Sequence, residues 1–171
     1  MVKVLFLCMG NICRSPMAHG VLATLAERAG LADGPRRLLV DSAGTSDYHI
    51  GEAPDPRAVE VAREYGVEIG HLRARQVTRE DLADFDYIIG MERENLKRLK
   101  ALVGPAAMET ARAEQRLLLS FAPDVPLDEV PDPYYGSIED FHRCFDLIER
   151  GVAGLFAHIA RTHFDGAVSL R

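Results

Sequence analysis

The chain has 171 residues, 47% of them hydrophobic and 27% charged, and carries a formal net charge of −6. This length supports one domain with a sizeable core, and the composition is that of an ordinary globular protein. The acidic balance excludes a general attraction to nucleic acid or anionic membrane, so any anion site must be built locally. In chain order, "VKVLFL" (2–7) reads as a strand covered on both faces. Ser15 and Pro16 follow as N-cap and first residue of a helix that runs to about Ala29, before Gly30. "RLLVDSAG" (37–44) is the second strand and leads into a loop of small residues. Asp55 and Pro56 open a second helix, "RAVEVAREY", which Gly66 ends, and Thr78 caps a short helix over "REDLADF". "DYIIGM" (86–91) is the third strand, "ENLKRLKALV" a helix, and "RLLLSFAP" (116–123) the fourth strand; residues 103–115 carry no clear pattern. Ser137 caps a long amphipathic helix that ends near His163. Strand and helix alternate throughout, which predicts an α/β fold: a four-stranded parallel sheet with helices on both faces, in one domain spanning 1–171.

In such sheets a ligand binds outside the carboxyl ends of the strands, at a helix N-terminus. "CMGNICRSP" (8–16) occupies that place after the first strand. Gly10 and Asn11 tolerate left-handed backbone, so Met9, Gly10, Asn11, Ile12 and Cys13 can curl into a nest of N–H groups. Arg14 adds a fork of donors matched to phosphate oxygens. At the base of the loop, the helix dipole, the N–H groups and the guanidinium all favour a Cys8 thiolate, and the Ser15 hydroxyl is placed to donate to it. A nucleophilic sulfur under a phosphate-shaped cradle is the chemistry of a cysteine phosphatase. Cys144 and Arg150 repeat the Cys–Arg spacing, but mid-helix, with Asp146 and Glu149 between them and no glycine, so their N–H groups belong to a helix ladder.

Expulsion of an alkoxide or phenolate calls for a proton donor on the same sheet edge. "VPDPYYGS" (130–137), after the fourth strand, offers Asp132, with Tyr134 and Tyr135 to flank an aromatic ring. Taken alone, Asp132-Pro133 is also an ordinary turn dipeptide. Cys13 reads equally as a small buried hydrophobe or as a thiol able to trap an oxidised Cys8. A zinc site from Cys8, Cys13 and His19 lacks the usual spacing and a fourth ligand. "HLRAR" is a weak nucleic-acid patch, and His142, His158 and His163 read as faces of the last helix.

"CMGNICRSP" resembles the signature loop of the low-molecular-weight protein tyrosine phosphatases. "VDSAGTS" (40–46), "ARQVTREDLADFDYII" (74–89), "MERENL" (91–96) and "DPYYGS" (132–137) are similar to further patterns of that family, in the same order. The resemblance covers nearly the whole chain and implies a flavodoxin-like open sheet with the phosphate loop after strand one. It implies Cys8 as nucleophile, Arg14 as phosphate ligand, Asp132 as general acid, and Ser15 as a tuning residue. It also implies Ser42 and His71 in a network that holds Asn11, and Cys13 as a resolving thiol. Two departures stand out: Glu92 where the family usually has aspartate, and a longer stretch around 103–115.

The expected activity is hydrolysis of phosphotyrosine proteins and small aryl phosphates through a cysteinyl-phosphate. Ile12, Tyr48, Tyr134 and Tyr135 would form the substrate cleft. Relatives acting on phosphoarginine carry threonine at the Ile12 position, so phosphoarginine is the alternative substrate. An arsenate reductase of this fold needs further cysteines to relay a disulfide, and Cys144 sits in a helix without an evident partner; a non-catalytic phosphate-binding module would more naturally lack the nucleophile or the acid. No cofactor or metal is expected. The remaining expectations are inhibition by inorganic phosphate or vanadate, no nucleic-acid or membrane partner, a monomer or weak dimer, and a cytoplasmic location, since three cysteines without a disulfide pattern and no leader-like segment suit a reducing compartment.

Overall fold

Successive residues of a strand face opposite sides of a sheet, and the first strand is apolar at both sets of positions. The computed structural model describes residues 1–166. Its strands are β1 (Val2–Cys8), β2 (Leu38–Gly44), β3 (Tyr87–Gly90) and β4 (Glu114–Leu117). Its helices are α1 (Arg14–Arg28), α2 (Pro56–Glu64), α3 (Arg79–Asp84), α4 (Arg93–Val103), α5 (Pro105–Glu109) and α6 (Ile138–His163), with a 3₁₀ turn at Leu118–Phe121. In β1, Val4, Phe6 and Cys8 join a core with α1, α2 and α6, whereas Leu5 and Leu7 join a second core with α3, α4 and α5. Helices therefore cover both faces. The strand order is β2-β1-β3-β4 and every pairing is parallel. The chain leaves β1 where the order reverses, which is where doubly wound sheets form their ligand crevice.

Two expected elements shift. The fourth strand is Glu114–Leu117, not 116–123. Its charged residues suit an edge position, and Ser120 Oγ donates to the Leu117 carbonyl at 2.7 Å as the chain turns into the 3₁₀ segment. That turn delivers Leu118 and Leu119 into the core beneath α6, so the apolar run is explained by burial and not by strand pairing. Within 103–115, Pro105 opens the short helix α5, and the N–H groups of Arg112 and Ala113 return to the Leu82 carbonyl.

The first helix also begins earlier than expected. Arg14 is its first residue and Cys13 its cap position, so Pro16 sits in the first turn, where a missing N–H costs no ladder bond. Ser15 is thereby released from capping duty.

The end of β2 buttresses the 9–13 loop. Thr45 N–H donates to the Cys8 carbonyl and Ser46 N–H to the Met9 carbonyl, each at 2.9 Å. This close approach requires Gly44: a Cβ there would lie 2.7 Å from the Met9 carbonyl oxygen and 3.2 Å from the Asn11 nitrogen. Since those atoms are backbone, the loop itself must yield. Gly44→Ala is therefore expected to cost about 1–3 kcal/mol of stability and to weaken vanadate inhibition severalfold. Thermal unfolding and a vanadate titration check this; wild-type values in both would show that the loop does not rest on Gly44.

Candidate active site

Asn11 adopts the left-handed conformation, with φ of 57°. Such a φ costs most L-residues about 1–2 kcal/mol, and asparagine is among the few that accept it. Its side chain is held at both ends: Nδ2 donates to Ser15 Oγ at 2.8 Å, and Oδ1 accepts from Arg75 N–H at 3.0 Å. With the peptide turned this way, Asn11 N–H donates to Cys8 Sγ at 3.3 Å. Ser15 Oγ lies 3.0 Å from the same sulfur. Having accepted a hydrogen bond from Asn11, the Ser15 hydroxyl is free to donate to Cys8. The first N–H groups of α1, which begins at Arg14, have no intrahelical acceptor and carry the positive end of the helix dipole.

Arg14 leaves only 2% of its side chain exposed. One terminal nitrogen donates to the Val130 carbonyl at 3.0 Å and the other to Glu92 Oε1 at 3.1 Å. The second also lies 3.5 Å from Asp132 Oδ2. Burial works against the Arg14 charge, but Cys8, Asp132 and Glu92 outweigh it and hold the guanidinium above its ordinary value. The donors not used by Val130 and Glu92 remain for an anion.

Asp132 does not follow β4 directly; the 3₁₀ turn and residues 122–130 intervene. Val130 N–H donates to the Met91 carbonyl at 2.9 Å, which moors the loop at the carboxyl end of β3. Asp132 Oδ1 accepts from Tyr134 N–H at 3.1 Å in a local turn. Cys8, Met9, Gly10, Ile12, Cys13, Arg14, Tyr48, Asp132, Tyr134 and Tyr135 thus line one cleft of about 250 Å³ together with His49. Ile12 is buried, while Tyr48 and Tyr135 stand out at the rim.

Residues 3–164 match the family described as low molecular weight phosphotyrosine protein phosphatase. The chain belongs to this family. It is 40% identical over 161 residues to the low molecular weight protein-tyrosine-phosphatase YfkJ of Bacillus subtilis, a match covering 94% of this chain and 97% of that protein. It is 41% identical over 148 residues to the low molecular weight phosphotyrosine protein phosphatase of Sus scrofa, covering 86% and 89%. The YfkJ crystal structure superposes with a TM-score of 0.82 over 94% of this chain and 96% of that one. The YwlE arginine phosphatase, solved with a phosphorylated active site serine, gives a TM-score of 0.78 at 25% identity, covering 95% and 99%.

The structure revises the support expected for the phosphatase loop. His71 is exposed, and Ser42 does not bond Asn11. Ser42 Oγ instead pairs with His19 Nδ1 at 3.1 Å. Burial holds His19 below its ordinary value against the pull of Asp41, with His71 adding to the depression. The bond that orients Asn11 comes from the Arg75 backbone, and the Arg75 side chain is fixed by Asp41 Oδ2 at 2.9 Å and by both oxygens of Asp81, at 2.9 and 3.0 Å. Within "HLRAR", the Arg75 guanidinium is therefore engaged by internal ion pairs. His19, with its ring engaged by Ser42, joins no metal cluster; among the described residues no group of three His, Cys, Asp or Glu side chains is placed to hold a metal ion.

Cys144 differs from its expected isolation. It lies on α6 in the same core as Cys8 and Cys13. Burial pushes its thiol up to about 12, with Arg14 pulling down and Asp132 and Cys8 pushing up. Arg150 pairs with Asp146 one turn away at 3.4 Å, a surface contact. His142 faces Glu64, and His163 Nε2 pairs with the Tyr87 hydroxyl at 2.8 Å. Glu92 turns out to touch Arg14 directly while also capping α4, a role that the Met-Glu dipeptide signals only through its place at a helix start. His49, whose ring lies 3.2 Å from where a Gly10 Cβ would be, is a cleft residue that no motif announces.

Proposed function

We propose that this phosphatase hydrolyses phosphotyrosine in proteins by transfer of the phosphoryl group to Cys8. One observation carries the reading: a sulfur with two hydrogen-bond donors sits at the foot of a helix N-terminus, under a buried arginine whose neighbour is an aspartate across the cleft. The Cys8 thiolate attacks phosphorus in line as the bond to the phenolic oxygen breaks. Asp132, in its protonated form, gives its proton to that oxygen. Water then attacks the cysteinyl-phosphate, Asp132 takes a proton from it, and the sulfur leaves as thiolate. Loop N–H groups and Arg14 stabilise the equatorial oxygens throughout.

Burial, reinforced by Asp55 and Cys8, pushes the Cys13 thiol upward, so Cys13 rests protonated and does not compete as nucleophile. We place it as the trap for an oxidised Cys8. Hydrogen peroxide converts the Cys8 thiolate to a sulfenic acid, and condensation with the Cys13 thiol forms a disulfide and releases water. Three unpaired cysteines suit a reducing cytoplasm, and no helix among the described residues is long and apolar enough to cross a membrane.

Cys8→Ser is expected to abolish turnover of p-nitrophenyl phosphate, with or without EDTA, while retaining vanadate binding. Asp132→Asn should slow phosphotyrosine by roughly 10²–10⁴ and a substrate with a very good leaving group far less. Residual turnover in Cys8→Ser overturns the mechanism, and equal slowing of both substrates overturns the acid.

Ile12 supplies an apolar wall that leaves a guanidinium unpaired, at a cost of at least about 1 kcal/mol. The wild type should therefore favour phosphotyrosine peptides over matched phosphoarginine and phosphoserine peptides in kcat/KM. Ile12→Thr should shift the ratio toward phosphoarginine severalfold. A wild-type preference for phosphoarginine refutes the substrate assignment; an unchanged ratio in the variant reduces Ile12 to packing.

After mild peroxide treatment, mass mapping should find Cys8 joined to Cys13, and thiol should restore activity. Cys13→Ala should lose activity irreversibly under the same treatment. Full recovery of that variant would remove the trapping role.

A further inference from the structure

The proposed acid sits on an exposed loop, yet its distance from the nucleophile must be held within a fraction of an ångström for proton transfer to keep pace with bond breaking. Arg57 lies outside the cleft and touches neither sulfur nor phosphate site. Nonetheless all three of its guanidinium nitrogens are engaged. Nε and Nη2 grip Asp55, at 3.1 Å to Oδ1 and 2.9 Å to Oδ2. Nη2 also donates to the Tyr134 carbonyl at 3.0 Å, and Nη1 to the Gly136 carbonyl at 3.4 Å. The guanidinium carbon lies over two rings, 4.5 Å from the Phe141 centroid and 5.8 Å from that of Tyr134. Phe141 is fully buried at the start of α6, so one face of the arginine rests on a rigid wall.

Both ends of this contact lead to the reacting groups. Asp55 N–H donates to the Ile12 carbonyl at 2.8 Å, which ties the start of α2 to the phosphate loop. Asp55 also caps α2 by accepting Arg57 N–H at 2.9 Å. At the other end, Tyr134 is bonded twice: its N–H goes to Asp132 Oδ1 at 3.1 Å and its carbonyl to Arg57. We infer that Arg57 is a positioning residue that clamps the Asp132 loop to the phosphate loop through the N-terminus of α2. A salt bridge serving only to cap α2 would have no cause to reach two backbone carbonyls beyond Asp132. Lysine, whose donors all radiate from a single nitrogen, cannot reproduce a fork that reaches Asp55 and both carbonyls from three separate nitrogens.

The inference rests on the acid role of Asp132, and the test separates the two. kcat/KM is measured for wild type, Arg57→Met, Asp132→Asn and the double variant, with phosphotyrosine and with dinitrophenyl phosphate, whose leaving group needs little protonation. Methionine keeps an apolar stem against Phe141 and removes every donor. Arg57→Met is expected to lose between about tenfold and a hundredfold on phosphotyrosine and less than about twofold on dinitrophenyl phosphate, with vanadate affinity unchanged. In the Asp132→Asn background the same change should cost nothing further on phosphotyrosine. Equal losses on both substrates, or an undiminished loss in the Asp132→Asn background, would overturn the clamp. So would wild-type selectivity in Arg57→Met beside a selective defect in Asp132→Asn. If Asp132→Asn itself fails to distinguish the leaving groups, the acid assignment falls and the clamp with it. Should Arg57→Met not fold, Arg57→Lys keeps the charge and stem and is expected to show the same leaving-group selectivity at smaller amplitude; equal loss on both substrates again refutes the clamp.

Discussion

A guanidinium taken out of water costs several kcal/mol unless its donors and its charge are matched. Burial of Arg14 is therefore the constraint on which the site depends. Its partners come from separate parts of the chain: the Val130 carbonyl ahead of the 131–137 loop, Glu92 at the start of α4, and Asp132. Satisfying the arginine brings the exit of β3 and the 131–137 loop against the N-terminus of α1. The same act places a carboxylate across the cleft from Cys8. Charge pairing and the shape of the cleft are one arrangement here, because the contacts that satisfy Arg14 are those that bring Glu92 and Asp132 up to the 8–15 loop.

The loop at residues 8–15 is held by a different set of bonds. Its N–H groups can stabilise charge only if they are held in place before the ligand arrives. Asn11 is locked between Arg75 and Ser15, and the Cys8 and Met9 carbonyls are bonded by Thr45 and Ser46. Arg75 in turn is braced by two aspartates from β2 and α3. The site thus inherits its stiffness from the end of β2 and from the segment between α2 and α3. Glycine at position 44 is the condition for that close approach. On the far side, α2 presents Asp55 to the loop and Arg57 to the 131–137 segment, so a single helix N-terminus spans the two halves of the cleft.

Much of this was legible in the residues. The alternation of apolar runs and helix caps at Asp55, Thr78 and Ser137 marked the elements, since both signals act within a few residues. The two-sided apolar pattern of β1 announced a sheet covered on both faces. The fourth strand was misplaced because an apolar run says that residues are buried, not how; Leu118 and Leu119 are buried by a 3₁₀ turn under α6, and the paired strand is the polar edge segment before them. The cap of α1 was misplaced for a related reason. Ser15 has the right side chain for a cap, but its hydroxyl has better partners in Cys8 and Asn11. His71 was assigned a support that the Arg75 backbone and Ser15 provide, while Ser42 pairs with His19.

Residues 8–15 by themselves determined the character of the chemistry. A thiol, a left-handed turn, an arginine and the opening of a helix are contiguous there, so the groups able to hold an anion lie within one short stretch. The tertiary structure alone decided which distant groups complete it. Arginine and carboxylate side chains occur throughout this chain, each able to pair with many others, and sequence distance does not rank those pairings. Packing of α1, α2 and α6 on one face and α3 to α5 on the other selects Glu92 and Val130 for Arg14, Asp41 and Asp81 for Arg75, and the carbonyls of Tyr134 and Gly136 for Arg57, because only in the folded sheet do these groups come within hydrogen-bonding distance.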